Sequence, residues 1–338
     1  MNNTEIDVKY VVVHILHKEQ RGTATITLSQ SESNVTNASQ RLIADICAKH
    51  AKSANKGYGS FEGDRDNYPM ETFVTDYNDN RVTFYDISCK MMHHLKVRSE
   101  EEQMSTGGYV LFSHIVINDN EYILVVMINS TTGSSITADF SIEDSVYLDI
   151  SKLKVAGRIN LTSLKNEAER YIDFLKTKNA ISNYFKKFLG CNDIMIAKKE
   201  TDKLNNALKQ FADEQNLSGE RRDNFFNIAL DYLKNLNKNN EPISIETFAN
   251  AIWPDEPVIL VQKLADDELE LSDGFVPDGR IIRNLVSFKG KTNHWEIKFD
   301  RAGLIDGSID FIKEKNEIIL KNIPDDLRAN LLSEVDSE

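Results

Sequence analysis

Cysteine is scarce: Cys47, Cys89 and Cys191 are the three in 338 residues, widely spaced and odd in number. No Cys-x-x-Cys pair and no Cys/His cluster accompanies them, which excludes a disulfide framework and a zinc site. Apolar residues make up 41% of the chain, enough for a sizeable core. Yet no run reaches the roughly 18 uninterrupted apolar residues of a membrane span. Val11–Leu16 is flanked or interrupted by Asp7, Lys9, His14 and His17. It also lacks the basic start and small-residue cleavage site of a secretory signal. A cytosolic chain with no membrane association is expected. Positive charge is also in deficit: the net charge is −13, so the protein is no uniformly basic coat for nucleic acid.

Other chemistry is missing too. Lys56–Phe61 is glycine-punctuated but no GxxxxGK[ST] follows a strand, so it reads as a loop and not as a phosphate cradle. Asp76-x-Asn78-x-Asn80 opens like a calcium loop, but Arg81 stands where glycine is required and Ile87 where a bidentate glutamate is required. His14 and His17 fall on opposite sides of a strand, and His93 and His94 diverge on a helix. His114 reads as a satisfied sheet histidine. No Ser/His/Asp or Cys/His arrangement is present, no metal site is indicated, and no internal repeat occurs.

What is present is a hairpin-rich centre. Tyr109–Ile117 and Tyr122–Asn129 are apolar, β-branched and aromatic runs joined by Asn118–Glu121, the signal of a β-hairpin. Tyr122–Ile128 is nearly continuously apolar and predicts a strand buried on both faces. Tyr147–Ile150 and Lys154–Leu161 predict further short strands. Val8–Leu16 reads as a strand with Thr23–Leu28 as its hairpin partner. Helices are predicted over Ala38–Lys52 and Val82–Val97, with residues 62–81 left as an acidic loop.

From Leu164 the spacing turns helical. Helices are predicted over Glu169–Phe188, Ala197–Gln215, Ser218–Leu236 and Ile245–Ile252, with another at Val258–Leu264. An acidic run, Asp266 to Asp273, leads to Pro277. Ile281–Phe288, Trp295–Phe299 and Glu317–Leu320 then read as strands, and Pro324–Leu332 as a closing helix. The fold class is therefore α+β: a mostly antiparallel N-terminal sheet with flanking helices over 1–162, a helical middle over 163–265, and a small C-terminal α+β unit over 266–338.

Several ordered blocks resemble the bacterial nucleoid-associated protein NdpA (YejK-like) family. They are Asn55–Phe61, Gly107–His114, Tyr147–Ile150, Arg158–Thr162, Arg170–Lys176 and Phe188–Gly190, with a weaker match at Ile323–Arg328. Together they span nearly the whole length. The resemblance implies a bacterial cytoplasmic protein of the nucleoid that binds DNA, forms a homodimer and catalyses no reaction, with no cofactor. It brings no residue list for DNA contact, so candidates come from charge.

Residues 152–187 carry nine cations against three acids, a net of +6. The candidate phosphate contacts there are Lys152, Lys154, Arg158, Lys165, Lys176, Lys178, Lys186 and Lys187. Residues 280–301 carry a net of +4, with Arg280, Arg283, Lys289 and Lys291 as candidates. Clustered cations release counterions from duplex DNA whatever its sequence. No zinc finger, RNP motif or recognition helix appears, so reading of a specific sequence is not expected. A second reading takes the acidic segments 62–86 and 266–278 as surfaces for a protein partner, in a DNA-processing or defence complex. A third notes Pro277-Asp278 and Glu296-Ile297-Lys298 in the order of a Mg²⁺-dependent nuclease site. Plain alternation along an exposed strand explains Glu296 and Lys298 equally.

Overall fold

The computed structural model describes residues 6–153, 155–176, 181–193 and 197–335. Lys154 and Lys178 lie outside them. In chain order the elements are β1 (Ile6–His17), β2 (Thr25–Thr27), α1 (Asn37–Lys52), β3 (Lys56–Phe61), α2 (Met70–Asn78) and α3 (Phe84–Glu100). Next come β4 (Gly108–Ile117), β5 (Asn120–Ile128), β6 (Ser130–Ile136), β7 (Ile142–Leu148), β8 (Val155–Asn160), α4 (Leu161–Lys165), β9 (Ile172–Leu175), α5 (Ile181–Leu189) and β10 (Cys191–Asn192). The helices α6 (Ala197–Glu214), α7 (Gly219–Asn239), α8 (Ile245–Ile252) and α9 (Pro257–Leu264) follow. The chain closes with β11 (Ser287–Lys291), β12 (Glu296–Asp300), α10 (Ala302–Ile305), β13 (Ile309–Ile312), β14 (Glu317–Leu320) and α11 (Asp325–Val335). The fold is α+β, as the pattern of elements predicts. Among the described residues no helix is long and apolar enough to cross a membrane.

The centre is an eight-stranded antiparallel sheet in the order β10-β3-β9-β8-β5-β4-β1-β2. The hairpin of β4 and β5 turns at Asn118 and Asp119, both at positive φ, the backbone a two-residue hairpin loop requires. Alternation along β5 sends Ile123 and Val125 to one face and Leu124 and Val126 to the other. One face packs under α2, α3 and α5 through Met70, Ile87, Met91, Phe185 and Phe188. The other packs under α1 through Ile43, Ile46 and Cys47. Thr36 caps α1 in a reciprocal pair with Ser39. Helices α6 to α9 bury a separate core around Phe211, Phe226 and Phe248, closed by Phe275, Ile282 and Leu285.

Four local expectations are corrected. Lys56–Phe61 is a strand and no loop. Its Gly59 lies so close to the next strand that an added Cβ would sit 2.2 Å from the Asn192 carbonyl oxygen. The supposed acidic loop 62–81 contains α2, whose only buried positions, Met70 and Val74, lie one turn apart. The helix expected over Glu169–Phe188 is a strand and a shorter helix, β9 and α5. The turn before β9 carries Glu167 at φ +54°, and all four residues of β9 are buried. Strands β9 and β10 thus carry the sheet on to Asn192. The strand expected at Ile281–Phe288 is a 3-10 turn at Ile282–Leu285 followed by β11. Ile282 and Leu285, three apart, both point into the helical core.

Candidate nucleic-acid interface

The acidic run after α9 does not hang in solvent. It crosses the end of the sheet and is held there by the cations of the first basic stretch. Arg158 on β8 is 5% exposed. Its Nε lies 3.1 Å from Asp173 Oδ1 and its Nη2 3.0 Å from Asp173 Oδ2. Nη2 also reaches Asp267 Oδ2 at 2.9 Å. Lys56, buried on β3, bonds Asp267 and donates to the Ala265 carbonyl at 2.6 Å. His50 Nε2 stands 3.1 Å from Asp173 Oδ1, off line for a hydrogen bond. Burial works against the charged Asp173, but the Arg158 guanidinium and His50 outweigh it and hold the carboxyl well below the usual carboxylate range. Asp267 follows the same pattern: burial is overcome by Arg158 and then Lys56.

Further along, Arg170 pairs with the fully buried Glu200 of α6 and donates to the Glu270 carbonyl at 3.0 Å. Lys203 reaches the same carbonyl at 3.1 Å. Glu200 also accepts from the Ser272 N–H at 2.9 Å. These contacts tie the helical core to the sheet. Lys56, Arg158, Arg170 and Asp173 all fall in the blocks that carry the family resemblance, so those blocks mark an internal lock.

The first stretch is therefore largely neutralised. Arg158 is corrected outright: it is buried between two aspartates and presents no charge for phosphate. Lys176 donates to the Asp273 carbonyl at 2.9 Å and lies 3.7 Å from Asp193. Lys186 pairs with the same Asp193. Lys187 lies 3.2 Å from Glu101, Lys165 3.9 Å from Glu121, and Lys152 3.3 Å from Asp149. The last three remain at the surface, where such pairs are worth under about 1 kcal/mol and break readily.

The second stretch is built differently. Asp278 accepts from the Arg280 and Ile281 N–H groups at 2.9 and 3.1 Å and starts the 3-10 turn. With Ile282 and Leu285 anchored in the core, Arg280 and Arg283 face solvent. β11 and β12 then form a ribbon in which Lys289 pairs with Lys298 and Lys291 with Glu296. Alternation puts Lys291, Glu296 and Lys298 on one face and Phe288, Ile297 and Phe299 on the other. Phe288 and Phe299 stack with centroids 5.4 Å apart, and Arg301 lies over Phe288 while pairing with Asp223 of α7. Lys291 is 3.9 Å from Glu296 and 70% exposed. Arg280, Arg283 and Lys298 make no ion pair with any described residue. Lys298 and Arg301 belong to the same basic stretch in sequence; alternation with Ile297 and Phe299 turns Lys298 to the charged face, whereas Arg301 lies with Phe288.

The nuclease pattern is not assembled as a metal site. Asp278 serves as a turn cap, and Glu296 lies beside Lys291. Among the described residues no group of three or more His, Cys, Asp and Glu is placed to hold a metal. His14 and His114 are used structurally. His14 accepts from the Ser29 N–H and bonds Ser88, and Tyr77 bonds His114.

Comparison with known proteins finds relatives that match nearly the whole chain. A nucleoid-associated protein of Pseudomonas entomophila is 27% identical over 325 residues, 95% of this chain and 97% of that one. One of Metapseudomonas resinovorans is 27% identical over 329 residues, 96% and 98% of the two chains. One of Azotobacter vinelandii is 26% identical over 336 residues, 98% and 99%. The family model described as nucleoid-associated protein YejK matches residues 12–328. Since that match runs through sheet, helical core and C-terminal unit alike, the chain belongs to the nucleoid-associated protein YejK family.

Proposed function

We propose that this protein is a non-enzymatic DNA-binding protein of the bacterial nucleoid, cytoplasmic and homodimeric, which grips the phosphate backbone of duplex DNA without reading its sequence. Membership of a family of nucleoid-associated proteins supports the location. The observation that carries the mode of binding is the trio Arg280, Arg283 and Lys298, cations without an acidic partner among the described residues, beside the exposed Lys291. Arg280 and Arg283 project from a turn anchored in the helical core, so they are held in place before DNA arrives. Each phosphate they neutralise releases counterions, which makes binding salt-sensitive. The acidic body repels DNA elsewhere and confines contact to this side.

A mobility-shift titration with random-sequence duplex at rising salt tests the reading. Binding at low salt that weakens steeply and is independent of sequence is expected. Absence of any shift at low salt would overturn it.

A second reading, a protein-interaction subunit, is favoured by one feature. β6 and β7 form a free-standing hairpin whose Ile136, Phe140 and Ile142 are 74–88% exposed. Residues 130–148 contain Asp139, Glu143 and Asp144 but no lysine or arginine. Such an arm suits a protein surface and repels phosphate. Pull-down after nuclease treatment separates the readings, since partners retained without DNA would support this one.

A further inference from the structure

β13 and β14 form a two-stranded sheet, Ile309 opposite Leu320 and Phe311 opposite Ile318. β13 is half-buried beside α10. β14 is exposed at every residue. Ile318, Ile319 and Leu320 keep 42–47% of their surface in water, and since successive residues alternate, both faces of the strand are apolar and open. Four residues later α11 presents Leu327, Leu331 and Leu332, also 44–51% exposed. A two-stranded sheet is marginal alone, and a helix of this length does not hold by itself in water. The unit has the composition of half a two-layer module: two strands with an open edge, and an uncovered amphipathic helix.

We propose that the other half is a second copy of this chain, joined by antiparallel pairing of β14 with itself across a two-fold axis at Ile319. The inference rests on the dimer reading above and names its interface. The sequence of the strand is self-complementary in that register. Glu317 falls opposite Lys321 of the second copy, twice, adding a second carboxylate to a lysine that pairs with Asp310 of its own chain at the surface, and Ile318 falls opposite Leu320, twice, on the other face. Ile319 meets its own copy on the axis. Opposite charges directly across a strand pair attract and like charges repel. The result is a four-stranded sheet, β13-β14-β14-β13, with the exposed edge abolished. Two α11 helices are then available to cover one face through Leu327 and Leu331. An isologous contact of this kind closes on itself and stops at two copies.

The test is sedimentation of the full chain without DNA. Wild type is expected as a dimer. Glu317→Lys places lysines opposite each other twice and should weaken the dimer about tenfold or more, whereas Glu317→Lys/Lys321→Glu restores the attraction and should return it to within about threefold of wild type. Ile319→Cys should give a disulfide-linked dimer on mild oxidation, since directly opposed strand residues lie within disulfide reach. Lys313→Cys, on the far turn, should not. These side chains are exposed in the single chain, and the Lys321–Asp310 pair that the double variant gives up lies at the surface, so the body keeps its fold, which far-ultraviolet circular dichroism checks. A monomeric wild type at tens of micromolar overturns the dimer reading and this interface with it. A dimeric wild type whose Glu317→Lys variant is equally tight, and whose Ile319→Cys variant does not crosslink, overturns this interface alone.

Discussion

Each described cation between residues 152 and 187 stands within 4 Å of a carboxylate: Lys152, Arg158, Lys165, Arg170, Lys176, Lys186 and Lys187. Between 280 and 301, Arg280, Arg283 and Lys298 have no such partner among the described residues. The first region has the larger charge in sequence and the smaller one to offer a ligand. Some of its acids are local, as Asp149 is to Lys152, and others arrive from far along the chain, Asp267 being 109 positions from Arg158. Charge summed along a segment measures what must be balanced; only the fold says whether the balance is internal. In this protein the first region fastens sheet to helices, and the second leaves three cations unpaired among the described residues.

The comparison predicts its largest effect at the lock. Arg158→Ala leaves Asp173 and Asp267 facing each other without their shared cation. Breaking a buried pair from one side costs about 3–5 kcal/mol. For a chain of this size that lowers the melting temperature on the order of 10 °C. Lys152→Ala, at a surface pair, should change stability by less than about 0.5 kcal/mol. Thermal denaturation of both variants measures the contrast, and equal melting temperatures would break it.

Acid should find the same buried body. His14 and His94 are held down to about 4, by burial first and, for His94, by Arg98 next. His50 is lowered as well, by burial and then by Arg158. The unfolded chain protonates these rings near 6.5. Below that pH the unfolded state binds more protons, so the stability is complete above about 6.5 and is lost as pH falls toward 4. At pH 5 each of His14 and His94 costs up to about 2 kcal/mol. The depressed Asp173 keeps its contribution down to about pH 4 and loses it below that, as the unfolded aspartate takes up a proton while the folded one stays ionised. Urea midpoints at pH 7.5 and 5.0 should differ clearly, and a flat profile would count against neutral buried histidines.

How much of this could be read from residues alone follows from range. The hairpin of β4 and β5, the helix α1 with its Thr36 cap and the helix α8 with its Ser244 cap depend on neighbours within a few positions, and local pattern foretells them. β9 does not: Tyr171, Ile172 and Leu175 have helical spacing, and Asp173 looks like the polar side of a helix. Its carboxylate is instead buried because Arg158 waits on the adjacent strand. The same holds for the site. Arg283 was recognisable as a candidate, but nothing local separates it from Arg158. Both are arginines in basic, partly apolar stretches; only Asp173 on the adjacent strand and the distant Asp267 decide between them.

At the DNA the contrast should appear as a difference in salt slope. Replacing Arg280, Arg283 and Lys298 together with alanine should reduce the slope of log affinity against log salt by about 2–3, near 0.9 per lost phosphate contact. Replacing Lys165, Lys186 and Lys187 together should reduce it by less than about 1 on the same scale. Fluorescence anisotropy across a salt series gives both slopes. Equal reductions would mean that the acidic partners of the first region yield to DNA.

The smallest effect is the most direct probe of that yielding. Glu101→Gln removes the carboxylate 3.2 Å from Lys187, and Asp193→Asn removes the one paired with Lys186. Both lysines are partly exposed, at 49% and 31%, so their pairs are screened and worth little to stability. Neutralising the acids leaves the cations in place and subtracts two negative charges from the surface a DNA strand would approach. Affinity at low salt should therefore rise about two- to threefold, less than 1 kcal/mol, and the gain should vanish near 0.3 M salt as the Debye length contracts. A gain that persists at high salt would have another origin than charge. No gain at low salt would place this side of the molecule beyond the reach of bound DNA, leaving Arg280, Arg283 and Lys298 to carry the contact without it.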